Sequence, residues 1–137
     1  MVCMDARLVP SKFFGLAEGD AHVVRNAGGR ATGDAQRSLV ISQQLLGTRE
    51  IYVVHHTDCG MLTFTDASIA KVIKDNLGVD VGGRAFHPFA DVDALVKEDV
   101  EKIAADPLII QGTIIVGFVY DVKTGAVREV SRATNRA

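Results

Sequence analysis

The chain has no run of about 18 apolar residues, so nothing in it reads as a bilayer-spanning helix. It has no block of Lys or Arg and no basic stretch interleaved with aromatics. With 15 basic and 17 acidic residues the formal net charge is −2. That balance excludes a general affinity for nucleic acid or anionic membrane surfaces. The first residues lack a basic segment followed by an apolar one, so no secretory signal is read there and a cytoplasmic location is expected. No G-x-G-x-x-G follows the first strand, which disfavours a dinucleotide-binding domain. The three residues between Cys3 and Arg7 are too few for a cysteine-phosphatase loop. Cysteine itself is scarce: Cys3 and Cys59 are the only two. In a chain without a secretory signal, thiols stay reduced, and Cys beside His points to a metal or to catalysis. A Cys3–Cys59 disulfide would leave His56, Asp5 and Arg7 without a role.

The length of 137 residues and an apolar content of 47% describe one domain, residues 1–137, with enough hydrophobic surface for a single core. Strand and helix patterns alternate. Met1, Val2 and Cys3 read as the end of a strand. A short helix follows over 10–16, with Pro10 near its start, and then a strand over 21–25. The next helix begins near Thr32, with Asp34 as N-cap or first-turn acid. It runs to Leu46, with Leu39, Val40, Leu45 and Leu46 on or near the buried side, and Gly47 closes it. Residues 50–56 form the clearest buried strand, nearly continuous in apolar character, as parallel strands covered on both faces are. Helices follow over 67–76 and 91–105, with a Gly-rich irregular stretch between them. Residues 113–120 form a buried strand, 121–125 a turn, and 126–130 an antiparallel return strand. The polar residues 131–137 are expected to be disordered. The pattern predicts an α/β domain of Rossmann-like type, with a mostly parallel sheet flanked by helices.

Two short stretches carry the chemistry, Cys3-Met4-Asp5-Ala6-Arg7 and His55-His56-Thr57-Asp58-Cys59-Gly60. Both fall at the carboxyl ends of predicted strands, where open α/β sheets build their sites. Two thiolates and an imidazole form a donor set suited to Zn²⁺. His56 and Cys59 are separated by two residues, a gap that a turn after a strand can close onto one ion. Three protein ligands leave a fourth position for Asp5 or for water. An extended start would point Cys3, Asp5 and Arg7 to one side, where Arg7 could pair with the carboxylate and hold it off the metal. His55 should face the opposite side of its strand and be structural, and His22 should lie at the surface or a strand edge. Asp58 is read as a turn former or an acceptor near the metal. His87, in the irregular stretch, is read as a loop residue, with a lid or proton-shuttle role as the other reading.

These motifs resemble the β-class carbonic anhydrases. Cys-x-Asp-x-Arg followed by His-x-x-Cys is that family's signature, and Arg25-Asn26-Ala27-Gly28 resembles its Arg-Asn-Ala-Gly turn. The resemblance runs from Cys3 to about Val130. It implies four parallel strands plus one antiparallel strand, an obligate dimer, and Zn²⁺ on Cys3, His56 and Cys59. It implies that Asp5 swings between the zinc, closing the site, and Arg7, opening it. Arg25 is either a salt-bridge residue beneath the site, which the resemblance favours, or a strand-end charge. The N-terminal arm usual in the family is not seen ahead of Cys3.

The activity implied is reversible hydration of CO₂ to bicarbonate by a zinc-bound hydroxide, with Asp5 orienting that hydroxide and the Gly60 N–H donating to a substrate oxygen. Two thiolate ligands leave the site formally neutral, so activity is expected to rise with pH through the mildly alkaline range. A rival on the same zinc is hydrolysis of carbonyl sulfide or carbon disulfide, with selectivity set by apolar residues such as Met61, Leu62, Phe64 or Phe86. A third reading is a non-catalytic zinc scaffold closed by Asp5.

Overall fold

A computed structural model describes residues 1–136. Its elements follow in the order β1 (Val2–Cys3), α1 (Pro10–Phe13), β2 (Arg25–Asn26), α2 (Gly33–Gln44), β3 (Glu50–His56), α3 (Asp66–Leu77), α4 (Val92–Ala104), β4 (Ile114–Tyr120) and β5 (Val127–Thr134). The five strands form one sheet in the order β2-β1-β3-β4-β5. β2, β1, β3 and β4 run parallel, and β5 returns antiparallel to β4. This is the α/β arrangement expected.

Alternation along β3 divides the sheet's two faces. Ile51 and Val53 turn to the side covered by α4, where Val96, Val100 and Ile103 join Ile115 and Val119 of β4 in the larger core. Gly117 lies under α4, and a Cβ there would stand 2.3 Å from Val96 Cγ1 and 2.8 Å from Val100 Cγ2. That close approach lets the helix settle on the strand. The other face carries Leu8, Val54, Phe13, Phe14, Phe118 and Tyr120, a second cluster that also holds Cys3 and Cys59. Phe13 stacks on Tyr120 at 4.7 Å between ring centroids, and Phe14 reaches both Tyr52 and Phe118 at 5.3 Å.

Several expectations are corrected. The first helix stops at Phe13, because Gly15 turns into the left-handed region. The strand expected over 21–25 pairs only at Arg25 and Asn26, since β1 is two residues long and offers no further ladder. Thr32 caps α2, and Asp34 sits in its first turn. Leu45 and Leu46 are exposed, because α2 ends at Gln44 and they lie beyond its buried face. β5 continues to Thr134, where expectation placed a disordered tail from Ser131: its backbone pairs with β4 as far as Ile114. The rest of that tail includes Ala137, which lies outside the described residues. Among the described residues no helix is long and apolar enough to cross a membrane.

Candidate metal centre

β1 and β3 are parallel neighbours with Val2 in register with Val54, so their carboxyl ends bring Cys3 and His56 out on the same edge of the sheet. The chain then reverses through Asp58, which adopts a left-handed φ of 54°, and delivers Cys59 beside them. Asp tolerates this conformation better than most residues. A short 3₁₀ turn, Gly60–Leu62, follows and is pinned by the Leu62 N–H donating to Cys59 O at 3.0 Å. The two Sγ atoms and an imidazole nitrogen of His56 lie within 4.8 Å of one another, and all three residues are buried. Both cysteines are free thiols.

The tautomer of His56 follows from its partner. Nδ1 lies 2.8 Å from the carbonyl oxygen of Thr57. A carbonyl only accepts, so Nδ1 carries the proton and Nε2 presents its lone pair. That Nε2 is buried and has no hydrogen-bond partner among the described residues. A buried polar atom without a partner costs free energy. Beside two sulfurs, it completes a donor set that fits Zn²⁺.

The titration behaviour of the cluster agrees. The Cys3 thiol is drawn well below the usual thiol range, first by its hydrogen bond with Cys59. Burial opposes this, while His56 and the backbone N–H groups of Asp5 and Gly28 add to it. Cys59 moves the other way, through its bond to Cys3 and through burial. Their mutual hydrogen bond favours loss of the first proton from the pair and opposes loss of the second. Burial alone would lower His56, but the adjacent Cys3 sulfur, the Thr57 carbonyl and Asp5 leave it raised.

Asp5 lies at the rim. Its carboxylate accepts three bonds from Arg7: Nε at 3.0 Å and the backbone N–H at 2.9 Å on Oδ1, and Nη2 at 2.8 Å on Oδ2. Those bonds hold its pKa well below the usual carboxylate range. Oδ2 is also 3.9 Å from His56 Nε2, so the carboxylate sits next to the donor cluster while tied to the guanidinium. Arg7 is itself fixed by the turn, donating to Asp58 Oδ2 at 2.9 Å and to Asp58 O at 3.0 Å.

The structure thus brings together Cys3, Asp5, Arg7, His56, Asp58 and Cys59. Gly60 adjoins them on the exposed side, and a Cβ added to it would meet nothing within 4 Å. Arg25 fits neither reading of it. Among the described residues it makes no salt bridge, and instead donates to the main-chain oxygens of Cys3 at 2.9 and 3.1 Å and of Asp5 at 2.7 Å, clamping the end of β1. His87 is exposed, and among the described residues its side chain is in no hydrogen bond or ion pair, while its carbonyl accepts from Arg30. His55 is fully buried, as a structural residue should be, and His22 is at the surface. Of the apolar residues named for the cleft, Met61 packs into the cluster with Cys3 and Cys59; Phe89, which belongs to no motif, packs there too. The Thr57 carbonyl was equally hidden, since main-chain atoms leave no trace in residue type.

A family model described as carbonic anhydrase matches residues 1–127. The chain is 47% identical over 133 residues to a protein of Mycobacterium tuberculosis named beta-carbonic anhydrase 1, covering 96% of this chain and 80% of that one. It is 35% identical over 146 residues to a carbon disulfide hydrolase of Acidithiobacillus thiooxidans, covering 92% and 73%. The solved carbonic anhydrase of Streptococcus mutans superposes with a TM-score of 0.92 at 54% identity, covering 95% of this chain and 78% of that one.

Proposed function

The chain belongs to the carbonic anhydrase family, in its β class, and from that premise we propose that it catalyses the reversible hydration of CO₂ to bicarbonate with Zn²⁺ held by Cys3, His56 and Cys59. The observation that carries this reading is the unpartnered His56 Nε2 between two thiols, with Asp5 drawn aside by Arg7. When bound there, zinc supplies a Lewis acid that brings the pKa of water toward about 7. The chain's own residues do the rest. Asp5 stays ionised and accepts a hydrogen bond from the reacting water, fixing its lone pair toward the substrate carbon. Arg7 keeps that carboxylate in place. The Gly60 N–H donates to a substrate oxygen on the open rim. The apolar surface of the partly buried Met61 and Phe89 admits a small apolar molecule and keeps bulk water out.

The three bonds from Arg7 to Asp5 favour an open, working site over a scaffold closed by Asp5. The lower identity to the carbon disulfide hydrolase than to either carbonic anhydrase ranks CO₂ above its sulfur analogues. We further propose a homodimer or higher homo-oligomer in the cytoplasm. Supporting it, Tyr52 is 39% exposed on the aromatic face of the sheet, and α3 has no buried residue while Val72 and Leu77 stand out from it. Sedimentation at several concentrations tests the dimer; a monomer throughout would refute it.

The activity test is stopped-flow CO₂ hydration on protein of known zinc content, from about pH 6.5 to about 9. Turnover that rises with pH and collapses in Cys59→Ser supports the proposal. One zinc per chain with negligible CO₂ turnover refutes it and moves the assay to carbonyl sulfide and carbon disulfide.

A further inference from the structure

Part of the apolar wall of the site is carried by a segment with no regular structure of its own. Phe89 lies between α3 and α4, yet it packs on the cluster that holds Cys3 and Cys59. A Cβ on Gly28 would stand 3.3 Å from Phe89 Cε1 and 3.1 Å from Met61 Cγ, so the bare glycine leaves the space in which those two side chains meet. The His55 ring lies beside Phe89, at 6.1 Å between centroids. Connecting segments are ordinarily more mobile than the elements they join. A residue held this closely needs something to hold its backbone.

Arg30 does so. Its side chain is nearly buried, and a guanidinium is costly to bury unless its donors are used. Each nitrogen has a different partner. Nε donates to Asp99 Oδ2 at 3.2 Å, Nη2 to Glu98 Oε1 at 2.7 Å, and Nη1 to the carbonyl oxygen of His87 at 3.0 Å. The first two partners lie on α4; the third lies on the segment that carries Phe89. Arg30 is itself fixed, because the Asn26 side chain accepts from its N–H at 2.8 Å and donates to its carbonyl at 2.9 Å. On the far side of Pro88, the Phe89 N–H donates to Met61 O at 3.2 Å. The His87 carbonyl and the Phe89 N–H belong to successive peptide planes, related only by φ and ψ of Pro88. The proline ring locks that φ. With both planes anchored, one soft torsion separates them, and Phe89 has little freedom to leave the wall.

We propose that Arg30 is a positioning residue for Phe89, acting through the His87 carbonyl and Pro88, and that Phe89 determines the size of substrate the site admits. The Phe89 ring stands against a molecule longer than CO₂, such as its disulfur analogue, and leaves room for CO₂ itself. The substrate part of this rests on the CO₂ reading above; the hold of Arg30 on Phe89 does not.

Two measurements test it. Hydrogen exchange of the Phe89 amide is followed on the zinc-loaded protein, against that of Val116 in β4. Arg30→Lys keeps a cation for Asp99 but offers one nitrogen where three are needed. Pro88→Ala frees the locked torsion and leaves every charge in place. In both, Phe89 exchange should speed up relative to Val116 by about fivefold, the worth of one net hydrogen bond. Glu98→Ala removes a different partner of Arg30 and should leave Phe89 unchanged. A Phe89 amide that exchanges freely in the unaltered protein overturns the inference, as does an equal change in Glu98→Ala or no change in Pro88→Ala. Should Arg30→Lys not fold, Pro88→Ala decides. The second measurement is the ratio of carbon disulfide to CO₂ turnover, which should rise about tenfold in Phe89→Ala and move the same way in Pro88→Ala. An unmoved ratio in Phe89→Ala overturns the size role. An unaltered protein that holds zinc and hydrates no CO₂ would instead sink the activity reading, and the exchange comparison would still decide the role of Arg30.

Discussion

Gly29→Ala will cost this protein a large share of its stability, and the loss will fall on the metal site. Gly29 has a φ of 65°, and an added Cβ would stand 2.7 Å from the Cys3 nitrogen and 2.9 Å from the Val2 carbonyl carbon. Both neighbours are main-chain atoms of the strand that carries the first thiol, so no side chain can swing aside. The left-handed conformation costs an alanine about 1 kcal/mol, and forcing a methyl into a packed site adds about 1–3 kcal/mol. Together that is about 2–4 kcal/mol, against a total stability of about 5–15 kcal/mol for a domain. An unfolding entropy of roughly 2.1 cal/mol/K per residue makes 1 kcal/mol worth about 3.5 °C for 137 residues, so the midpoint should fall by about 7–14 °C. Thermal unfolding is compared with Gly33→Ala, whose Cβ meets nothing within 4 Å and whose φ is unremarkable. Zinc content is measured on the same samples. A Gly29→Ala protein that melts with the original and holds its zinc would refute the argument that the turn presses on β1.

Three further outcomes follow from the site. Arg7→Gln removes the guanidinium that holds Asp5, leaving a carboxylate already 3.9 Å from His56 Nε2 free to move onto the metal; CO₂ turnover near neutral pH should drop about tenfold or more while zinc stays bound. Asp99 is pushed up by burial, but the His55 hydrogen bond and the Arg30 charge more than offset this, so its folded pKa lies below its unfolded one. Its stabilisation is then complete above the ordinary carboxylate pKa of about 3.9 and is lost as pH falls through the lower folded value; urea unfolding across that range should show Asp99→Asn less stable by about 3–5 kcal/mol at neutral pH and flatter toward acid. Removing metal with a chelator should lower the melting midpoint, since a ligand bound only to the folded state stabilises it by mass action, and should make both buried thiols titratable by a thiol reagent.

Much of this molecule is legible in its residues taken in order. β3 and β4 are readable because unbroken apolar stretches, Ile51 to Val54 and Ile114 to Tyr120, match buried strands, and α4 because Leu95, Val96, Val100 and Ile103 recur at helical spacing. Short elements were harder. β1 and β2 have two residues each, and their pairing depends on what lies beside them. The exposure of Leu45 and Leu46 was hidden for a similar reason, because apolar character does not reveal where a helix stops. Asp99 lies on the apolar stripe of α4 and reads from sequence as a solvated charge; only Arg30 and His55, far away along the chain, give it a buried partner.

The donor set was determined by the sequence alone. Two sulfurs, an imidazole, a carboxylate and an arginine stand at spacings that a strand end and a turn can close, and the kind of donor atom each residue offers is fixed by its type. The tertiary structure alone decided how those groups are poised. The Thr57 carbonyl selects the His56 tautomer, Arg7 and Asp58 draw Asp5 aside, Arg25 clamps the end of β1, and the Gly28 carbonyl meets His55. Hydrogen bonds to main-chain atoms carry most of that arrangement. They are directional and form between segments distant in the chain, so they exist only once the sheet has brought its strand ends together.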